Sequence, residues 1–369
     1  MPKQKINMKI LLAGLGSIGR RHLQNLAALG VRQLAAVTQN RCVLPSDGLP
    51  PFLAFDTVES GLLWRPDAVF VCNPTAFHLE TALAAARSGC HIFLEKPVSH
   101  TLEGIAELAY LVEKQGLILQ VGFQLRFHPV FQKIKRTVEC GRIGRVVSAH
   151  AHWGEYLPAW HPWEDYRAGY SARGDLGGGV VLTLCHPFDY LRWMLGEVEQ
   201  VHAIGGHLSG LETDTEDTAL VSIRFAGGAV GSVYLDYVSK PPKHTLQIIG
   251  DAGRIEWDAD FGSAKVYTGD GRGFETISPG KFFERNELFR DEVADFVDCI
   301  INHRQPACTL NDGIRALEIA LAAKNSIEEQ QYAPAQSSGH EMDRLKLAGS
   351  QAVTASHRLT YTQTVHTIW

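Results

Sequence analysis

The chain has 369 residues, of which 45% are hydrophobic and 20% are charged, a composition typical of soluble globular proteins. This length exceeds what one hydrophobic core usually organises, so it predicts two domains. A formal net charge of −5 argues against a general nucleic-acid binder, which would carry a basic surplus.

The cysteines and the apolar runs limit the setting of the protein. Seven cysteines are scattered along the chain without a C-x-x-C pair, which indicates neither a disulfide framework nor a zinc site. We therefore expect a reduced, cytoplasmic protein without a bound metal. The apolar runs fall short of the roughly 18 residues that a membrane helix needs, so no membrane association is expected.

The first distinctive element is a glycine turn after an apolar run that begins at Met8. Gly14, Gly16 and Gly19 have G-x-G-x-x-G spacing. At this spacing the first glycine permits a tight turn, the second lets a pyrophosphate approach the backbone, and the third lets the next helix pack closely. Such triplets also occur in ordinary loops, so the spacing alone is a weak signal.

The segments on both sides make the glycine turn more specific. The apolar run predicts a strand, residues 20–29 an amphipathic helix and residues 33–37 a second strand, which together form a βαβ unit. The N-terminus of that helix, with Ser17 and Ile18, offers free N–H groups and a partial positive charge to a phosphate. The sequence therefore predicts a dinucleotide site.

Strands and helices alternate through the first 125 residues. Further strands are predicted at 67–72, 91–94 and 117–121, and helices at 77–88 and 102–114. This alternation predicts a doubly wound parallel sheet, that is, an α/β Rossmann domain over residues 1–125. Ligands of such sheets bind at the carboxyl ends of the strands, where Asn73 and Glu95 follow two of them.

The pattern changes after residue 125. We expect an α+β domain over residues 126–329, with a large, mostly antiparallel sheet that helices cover on one face. The predicted strands are 146–156, 201–207, 217–225, 229–238, 244–250, 253–258 and 264–268. The predicted helices are 129–140, one opened by glycines 177–179 that ends near 195, 284–303 and 311–329. Residues 330–369 lose hydrophobic periodicity and are predicted to form a flexible or loosely docked tail.

The predicted sheet also indicates self-association. Val221, Ile223, Val233 and Leu235 alternate with other residues in two neighbouring predicted strands. On an open sheet face they would expose an apolar surface. We therefore expect a homo-oligomer, a dimer or a tetramer, assembled through this sheet.

Four motifs in their chain order resemble one family. The glycine turn, Asn73-Pro74-Thr75 with His78, Glu95-Lys96-Pro97, and His186 after the glycine-run helix resemble the glucose-fructose oxidoreductase / inositol dehydrogenase family over about residues 8–329. The resemblance implies a Rossmann domain, a sheet domain that carries the substrate, and hydride transfer with NAD(P). It also implies a set of residues that bind the cofactor beside the glycine turn: Asn73, Pro74, Thr75, His78, Glu95 and Lys96.

Lys96 is the first candidate catalytic residue. A lysine at the carboxyl end of a strand, held extended by Pro97, can direct its ammonium to a substrate hydroxyl beside the nicotinamide. Partial burial and a cationic cofactor should lower its pKa, so that it can relay a proton. For an isolated Glu-Lys pair, a surface lysine paired with Glu95 would be the better interpretation.

His186 is the second candidate. In the family that the motifs resemble, a histidine on this helix faces the substrate and acts as general acid and base, since its charge changes near neutral pH. The alternative is a core histidine bonded to a backbone carbonyl, because its neighbours are apolar. Many family members carry an aspartate about one turn earlier, where this chain has Thr183, which cannot take a proton. Asp189 could replace that acid, or orient His186 or the backbone.

An aromatic loop before the glycine run fits a sugar-like substrate. Its candidate substrate residues are Trp160, His161, Trp163, Tyr166, Tyr170 and Arg173. Aromatic rings can stack on a pyranose face, although the same rings could instead fill a domain interface. The W-H-P-W-E-D-Y-R run resembles a branch of the family found with amino-sugar and nonulosonic-acid pathways. In the same family Arg126 and His128 look like substrate or cofactor contacts, with helix capping as the alternative.

The end of the second predicted strand bears on the choice of cofactor. NAD enzymes usually place an acid about 20 residues after the glycines, where it binds the ribose 2′-hydroxyl. Thr38, Asn40 and Arg41 stand there instead, and all three could hold a 2′-phosphate. NADP is therefore favoured over NAD, unless Arg41 simply points into solvent.

Three functions are compatible with these residues. The first is an NAD(P)-dependent oxidoreductase of a sugar or sugar derivative, in which Lys96 and His186 handle the alcohol proton. The second is a glycoside hydrolase that keeps its nicotinamide bound and oxidises its substrate transiently. The third is a non-catalytic cofactor or metabolite sensor, which Thr183 at the position of an acid would favour.

Overall fold

A computed structural model describes residues 6–38, 48–269, 271 and 273–329. These residues form a six-stranded parallel sheet and an eight-stranded, mostly antiparallel sheet. The arrangement confirms the predicted fold class, a Rossmann domain followed by an α+β domain. Asn40, Arg41 and the predicted tail 330–369 lie outside the described residues, and the domain boundary after residue 125 stays a prediction.

The first sheet contains the predicted alternation of strands and helices. Its strands are β1 (Ile6–Ala13), β2 (Val31–Val37), β3 (Leu53–Phe55), β4 (Ala68–Val71), β5 (His91–Leu94) and β6 (Leu119–Val121). Its helices are α1 (Ser17–Leu29), α2 (Val58–Leu62), α3 (His78–Arg87) and α4 (Ile105–Lys114). The strand order is β3-β2-β1-β4-β5-β6, so the order reverses between β1 and β4, where such sheets form a crevice for ligands. The sequence does not predict β3 and α2, because both are too short for periodicity to reveal.

Both faces of the first sheet are buried, as is usual for a parallel sheet. On one face Phe70 stacks on Phe93 with ring centroids 4.6 Å apart. Phe296 meets both rings edge-on, at 5.4 and 5.6 Å. Phe296 belongs to a C-terminal helix, Arg285–Asn302, so this helix returns to cover the first sheet instead of closing the second domain as expected.

The second sheet follows the predicted order with two differences. Its strands are β7 (Val146–Tyr156), β8 (Val198–Gly206), β9 (Thr218–Phe225), β10 (Val230–Asp236), β11 (Val238–Gly250), β12 (Arg254–Asp258), β13 (Ser263–Tyr267) and β14 (Phe274–Ile277). The remaining helices are α5 (Pro129–Glu139), α6 (Val180–Thr183), α7 (His186–Leu195), α8 (Arg285–Asn302) and α9 (Leu310–Glu329). The strand order is β14-β13-β12-β11-β7-β10-β9-β8, with β7 and β10 parallel. The sequence does not predict β14, and the single helix expected to end near 195 is two helices.

The break between α6 and α7 has a local cause. Pro187 lies in the first turn of α7, where its fixed φ and missing N–H are tolerated, so the chain restarts a helix at this point. The break places His186 at the first residue of α7 and leaves the carbonyl of Thr183 at the end of α6. Both consequences matter for the site described below.

The apolar alternation in β9 and β10 lies on the buried face of the sheet. Val221, Ile223, Val233 and Leu235 are at most 3% exposed, because they belong to the hydrophobic core. The expectation that these four residues form an exposed surface is therefore wrong.

A different set of apolar residues lies on the opposite face. Ile204 pairs with Leu220, and Leu220 pairs with Tyr234, so the three side chains form one row across β8, β9 and β10. All three are exposed. The open face of the sheet therefore does carry an apolar row, but through residues one position away from the expected ones.

Candidate active site

The glycine turn has the geometry of a phosphate cradle. Gly14 has a φ of +107°, and a Cβ there would lie 2.8 Å from the carbonyl oxygen of Cys72, so this position needs glycine. A Cβ on Gly19 would collide with the carbonyl oxygen of Gly14, whereas a Cβ on Gly16 would meet no described atom within 4 Å. α1 begins at Ser17 without a side-chain cap from the described residues and without an acid in its first turn. Its first N–H groups, including those of Ser17 and Ile18, are therefore left for an anion.

The loop after β4 is fixed to the segment after β5. Asn73 donates from Nδ2 to Thr81 Oγ1 at 2.8 Å. The buried ring of His78 lies between two carbonyl oxygens, with Nδ1 2.7 Å from that of Pro97 and Nε2 2.9 Å from that of Asn73. The predicted cofactor segment, 73–75, therefore lies beside the segment that carries Lys96.

Lys96 reaches from the end of β5 to the second domain. Its Nζ donates to the carbonyl oxygen of Thr183 at 2.7 Å. This carbonyl can accept because Thr183 ends α6. Thr183 itself is buried, and among the described residues its hydroxyl has no hydrogen-bond partner. The Glu95 carboxylate binds Nε2 of His22 at 2.7 Å, which differs from the alternative of a surface pair between Glu95 and Lys96.

The charge state of Lys96 differs from the expected one. Burial lowers the pKa of the Lys96 ammonium, but the Tyr170 phenol, the Cys185 thiol and the Glu95 carboxylate raise it, so that its pKa lies above the usual value. The protein groups alone thus act against the expected lowering of this pKa. Lys96 is cationic near neutral pH, which suits hydrogen-bond donation to an oxygen better than proton acceptance.

His186 lies in a buried aromatic setting next to Lys96. Its ring stacks on Trp153 with centroids 4.8 Å apart and meets Phe123 edge-on at 5.5 Å. Burial, and then the positive charge of Lys96, lower the pKa of His186 well below its usual value, so the ring is neutral near pH 7. Among the described residues Nδ1 of His186 has no hydrogen-bond partner. The structure therefore does not show the alternative, in which a backbone carbonyl binds this nitrogen. The ring is therefore in its neutral form, and burial and the Lys96 charge both oppose its protonation.

Arg126 and Asp189 form a buried ion pair with each other. Arg126 Nη2 lies 2.6 Å from Asp189 Oδ1, and Arg126 Nη1 lies 3.1 Å from Asp312 Oδ2. The Arg126 side chain is only 3% exposed, because three chain segments close around it. This placement corrects two expectations. Asp189 binds Arg126 instead of orienting His186, and the Arg126 guanidinium is committed to carboxylates instead of facing a substrate.

His128 caps a helix, which is the alternative role that the sequence left open for it. Its Nδ1 accepts a hydrogen bond from the Val130 N–H at 3.2 Å, which caps α5. Its ring packs among Phe131, Trp257 and Phe283. Burial lowers the pKa of His128 to about 4, so it caps the helix as a neutral ring.

The aromatic loop divides into an inner and an outer part. Tyr170 lies near enough to Lys96 for its phenol to raise the pKa of that ammonium, and Trp160 meets the ring of Tyr237 edge-on at 5.7 Å. Trp163 is 76% exposed, and its ring lies 5.4 Å from that of His161. The loop therefore brings Tyr170 to Lys96 but leaves Trp163 at the surface.

Two further loop residues are engaged in local contacts. The Tyr166 hydroxyl accepts a hydrogen bond from the N–H of Glu212 at 3.0 Å. Arg173 donates from Nε to Asp175 Oδ1 at 2.9 Å. These contacts stabilise the loop. They engage the Tyr166 hydroxyl and the Arg173 guanidinium, the groups expected to bind a substrate, at a place other than Lys96 and His186.

Trp153 and Glu155 belong to the site, although the sequence patterns do not single them out. Trp153 lies between His186 and His244, whose ring centroid is 4.0 Å from that of Trp153, and it donates from Nε1 to Glu155 Oε1 at 2.7 Å. Glu155 is close enough to raise the pKa of Lys96. The period-2 alternation of β7 puts both residues on its buried face, and following that alternation to the end of the strand would have found them.

The described residues contain neither a metal-binding cluster nor a membrane-spanning helix. In the ranges 6–38, 48–269, 271 and 273–329, no group of His, Cys, Asp and Glu side chains is placed to hold a metal ion. Within the same part of the chain, no helix has the length and apolar character needed to span a bilayer.

The fold and the glycine turn define a dinucleotide-binding Rossmann domain, and family comparisons give the class of protein as an oxidoreductase. The model of the oxidoreductase family with an NAD-binding Rossmann fold matches residues 8–123, and that of the GFO/IDH/MocA C-terminal domain matches residues 131–256. The chain belongs to the GFO/IDH/MocA family of oxidoreductases.

Individual relatives match over most of their length. Myo-inositol 2-dehydrogenase of Thermotoga maritima is 32% identical over 343 residues, which cover 88% of this chain and 97% of the relative. An uncharacterized oxidoreductase of Bacillus subtilis, YrbE, is 31% identical over 86% of this chain and 93% of the relative. The solved structure of a levoglucosan dehydrogenase with NADH and levoglucosan has a TM-score of 0.78 at 22% identity, covering 88% of this chain and 98% of that one.

Proposed function

We propose that the protein transfers a hydride to or from a hydroxyl- or keto-bearing carbon of a sugar or polyol, with an NAD(P) cofactor. The observation that carries this proposal is the contact between Lys96 and Thr183, which joins the edge of the Rossmann sheet to the helix pair that holds His186. A relative that is 32% identical is named for the oxidation of myo-inositol. Amino sugars and nonulosonic acids are the finer substrate classes that we propose, from the aromatic loop.

The residues of the glycine turn fit a dinucleotide. The open space at Gly16 and the free N-terminus of α1 would hold its pyrophosphate, with Gly14, Ser17, Ile18 and Gly19 shaping the turn. We place the nicotinamide end beside 73–75 and Lys96. When bound, the cofactor supplies the acceptor or donor of the hydride.

The two catalytic side chains have different tasks in this proposal. The neutral His186 ring accepts the proton of a substrate hydroxyl as the carbon is oxidised, and returns it in the reverse direction. The cationic Lys96 donates a hydrogen bond to the same substrate oxygen and stabilises the negative charge that develops there. Tyr170, Cys185, Glu95 and Glu155 all raise the pKa of Lys96, which favours its cationic form. No acid at position 183 is then required.

We also propose NADP as the preferred cofactor. The end of β2 has no acidic residue at Val37 or Thr38, and Arg41 follows shortly after. Arg41→Ala should weaken NADP binding and leave NAD binding unchanged, as measured by fluorescence titration of both cofactors. Equal loss for both cofactors, or a wild-type preference for NAD, would contradict this part of the proposal.

A substrate panel tests the function itself. The wild-type chain should reduce NADP or NAD with at least one member of a panel of myo-inositol, levoglucosan and an amino sugar, followed by the absorbance of the reduced cofactor. Binding of neither cofactor in a thermal-shift titration would overturn the proposal. Release of free sugar from a glycoside without net cofactor reduction would support a hydrolase on this fold instead.

We further propose a homo-oligomer, a dimer or tetramer, formed through the open face of the second sheet. The exposed row of Ile204, Leu220 and Tyr234 supports it, because such a row would otherwise face water. Leu220→Glu should lower the molar mass measured by light scattering, whereas Leu63→Glu, at an equally apolar but remote exposed position, should not. A wild-type monomer would contradict this proposal.

A further inference from the structure

Two buried imidazoles lie on the two sides of Lys96. His22, from α1, binds the side chain of Glu95, and His78, from α3, contacts the carbonyl of Pro97. We propose that His22 and His78 are positioning residues, which hold the backbone on each side of Lys96 and thereby aim its ammonium. The catalytic part of this proposal rests on the proposed function, whereas the positioning itself does not.

On the side of residue 95, His22 contacts the backbone of Lys96 through the Glu95 carboxylate. His22 is 0% exposed, and its Nε2 lies 2.7 Å from Glu95 Oε1. A carboxylate only accepts, so the Nε2–H of His22 is the donor. The other oxygen, Oε2, accepts a hydrogen bond from the N–H of Lys96 at 3.3 Å. His22 is thus linked through one carboxylate to the backbone of Lys96.

Packing leaves the His22 and Glu95 side chains little freedom. The His22 ring meets Phe93 edge-on at 4.9 Å and Phe70 at 5.5 Å. The Glu95 carboxyl group lies 3.1 Å from where a Cβ on Gly122 would be, so any side chain at position 122 would crowd the carboxylate. A carboxylate held in this way transmits its position to the next residue.

The contact on the side of residue 97 is direct. Nδ1 of His78 lies 2.7 Å from the carbonyl oxygen of Pro97, and Nε2 lies 2.9 Å from that of Asn73. Carbonyl oxygens only accept, and a neutral imidazole has one N–H, so only one of the two contacts is a hydrogen bond at a time. Burial lowers the pKa of His78, which favours the neutral ring. We assign the proton to Nδ1, because its contact is the shorter one.

The need for such positioning follows from the Lys96 side chain. A lysine has four rotatable carbon–carbon bonds, so its ammonium is placed only as well as its backbone and its final contact allow. The final contact is the hydrogen bond from Nζ to the carbonyl of Thr183, at the end of α6. A misplacement of about 1 Å at a reacting group can cost about 100-fold in rate.

Variants that differ only in how far the side-chain amide lies from the backbone test this assignment. Gln carries its amide nitrogen where His carries Nε2, and Asn carries it where His carries Nδ1. We therefore expect His22→Gln and His78→Asn to keep most of kcat, and His22→Asn and His78→Gln to lower kcat by about 10- to 100-fold with little change in KM and in cofactor affinity. The reverse order at both positions would overturn the proposal.

A second measurement does not depend on turnover. Reductive methylation with ¹³C-formaldehyde labels lysine amines, and Lys96→Arg identifies the resonance of Lys96. The shift and the titration of that resonance should move in His22→Asn and His78→Gln and return in His22→Gln and His78→Asn. An unmoved Lys96 resonance in every variant would overturn the positioning, even if the wild type turns over sugars. Absence of turnover with a moved resonance would instead count against the proposed function alone.

A matched control separates positioning from stability. His152 donates from Nε2 to the buried carboxylate of Asp236 at 3.0 Å, a pair of the same chemistry on the other face of β7 from Trp153. His152→Asn should lower the unfolding temperature, although by less than His22→Asn because His152 is 31% exposed, and should leave both kcat and the Lys96 resonance unchanged. If His152→Asn lowers kcat as much as His22→Asn does, the effect is general destabilisation and the proposal fails.

Discussion

The edge of the Rossmann sheet and the aromatic loop 160–173 contribute to the same candidate site in different ways. At the sheet edge, backbone geometry decides what lies there, because Gly14 and Gly19 have no room for a side chain and Lys96 follows a buried strand. In the loop, side-chain contacts decide, and most of them are made within the loop itself or with its neighbours. A spacing motif therefore predicts where its residues lie in the fold. A run of aromatic residues predicts that rings are present, but not where each ring lies.

The largest expected effect is at the sheet edge. Lys96→Ala should lower kcat by about 1000-fold, because it removes the donor to the substrate oxygen and its charge. Steady-state rates with the best member of the sugar panel measure this loss. Lys243→Ala is the control, since Lys243 is paired with Asp258 on the other face of β11 from His244 and its loss should leave kcat unchanged. If the kcat of Lys96→Ala stays within a few-fold of the wild-type value, Lys96 is not a catalytic residue.

The next largest effect concerns the glycine turn, where two substitutions separate a loss of stability from a loss of cofactor affinity. Gly16→Ala meets no described atom within 4 Å and has an ordinary φ of −66°, so stability should not fall. The added methyl should still block the phosphate and weaken cofactor binding by about 10- to 100-fold, the value of one or two hydrogen bonds to a charged group. Calorimetric titration and thermal unfolding measure the two quantities. Gly19→Ala, which collides with the Gly14 carbonyl, should lose both. Unchanged affinity in Gly16→Ala would refute the cradle.

Two substitutions within the aromatic loop sharpen the comparison. Tyr170→Phe should lower kcat by about tenfold, because it removes a polar group close enough to Lys96 to raise its pKa, and a lost polar interaction is worth about 1 to 1.5 kcal/mol. Trp163→Ala, at a ring that is 76% exposed, should change kcat/KM by less than about twofold. The same assay measures both. A larger loss for Trp163→Ala than for Tyr170→Phe would show that the outer part of the loop closes on the substrate.

The smallest effect concerns stability in acid. The pKa of His128 is lowered to about 4, so the unfolded chain binds the proton first as the pH falls below about 6.5, and stability is lost between these values. At pH 5.5 this loss amounts to about 1.4 kcal/mol from His128. His128→Asn keeps a cap on α5 without a titrating group, so it should reduce the pH dependence of the unfolding free energy by that amount. Urea unfolding at pH 7.5 and 5.5 measures it, and an unaltered pH dependence would contradict the account.

What the sequence could predict follows the same division. The glycine turn is recognisable from local spacing, and Lys96 and His186 become candidates through the chain order of the four motifs and the family that this order resembles. Contacts between distant segments are not recognisable in this way. Arg126 and Asp189 are 63 positions apart, and no periodicity indicates that they form an ion pair. His22 and Glu95 are 73 positions apart and meet only because α1 and β5 belong to the same sheet domain.

The face of the second sheet shows a further limit. Alternation in β9 and β10 predicts that one face is apolar, and this is correct. It does not say which face the helices cover, because that depends on where α6 and α9 pack. Val221 is therefore buried where an exposed surface was expected, and Leu220 is exposed beside it.

Isotope transfer tests the central claim most directly. The wild-type chain is incubated with oxidised NADP or NAD and with myo-inositol, levoglucosan or an amino sugar deuterated at its ring carbons, and the cofactor is examined by mass spectrometry. The account predicts that the reduced cofactor gains one deuterium, and that Lys96→Ala and His186→Gln each suppress this gain. Cofactor that binds to the chain but gains no deuterium from any panel member, or an undiminished gain in both variants, would contradict it.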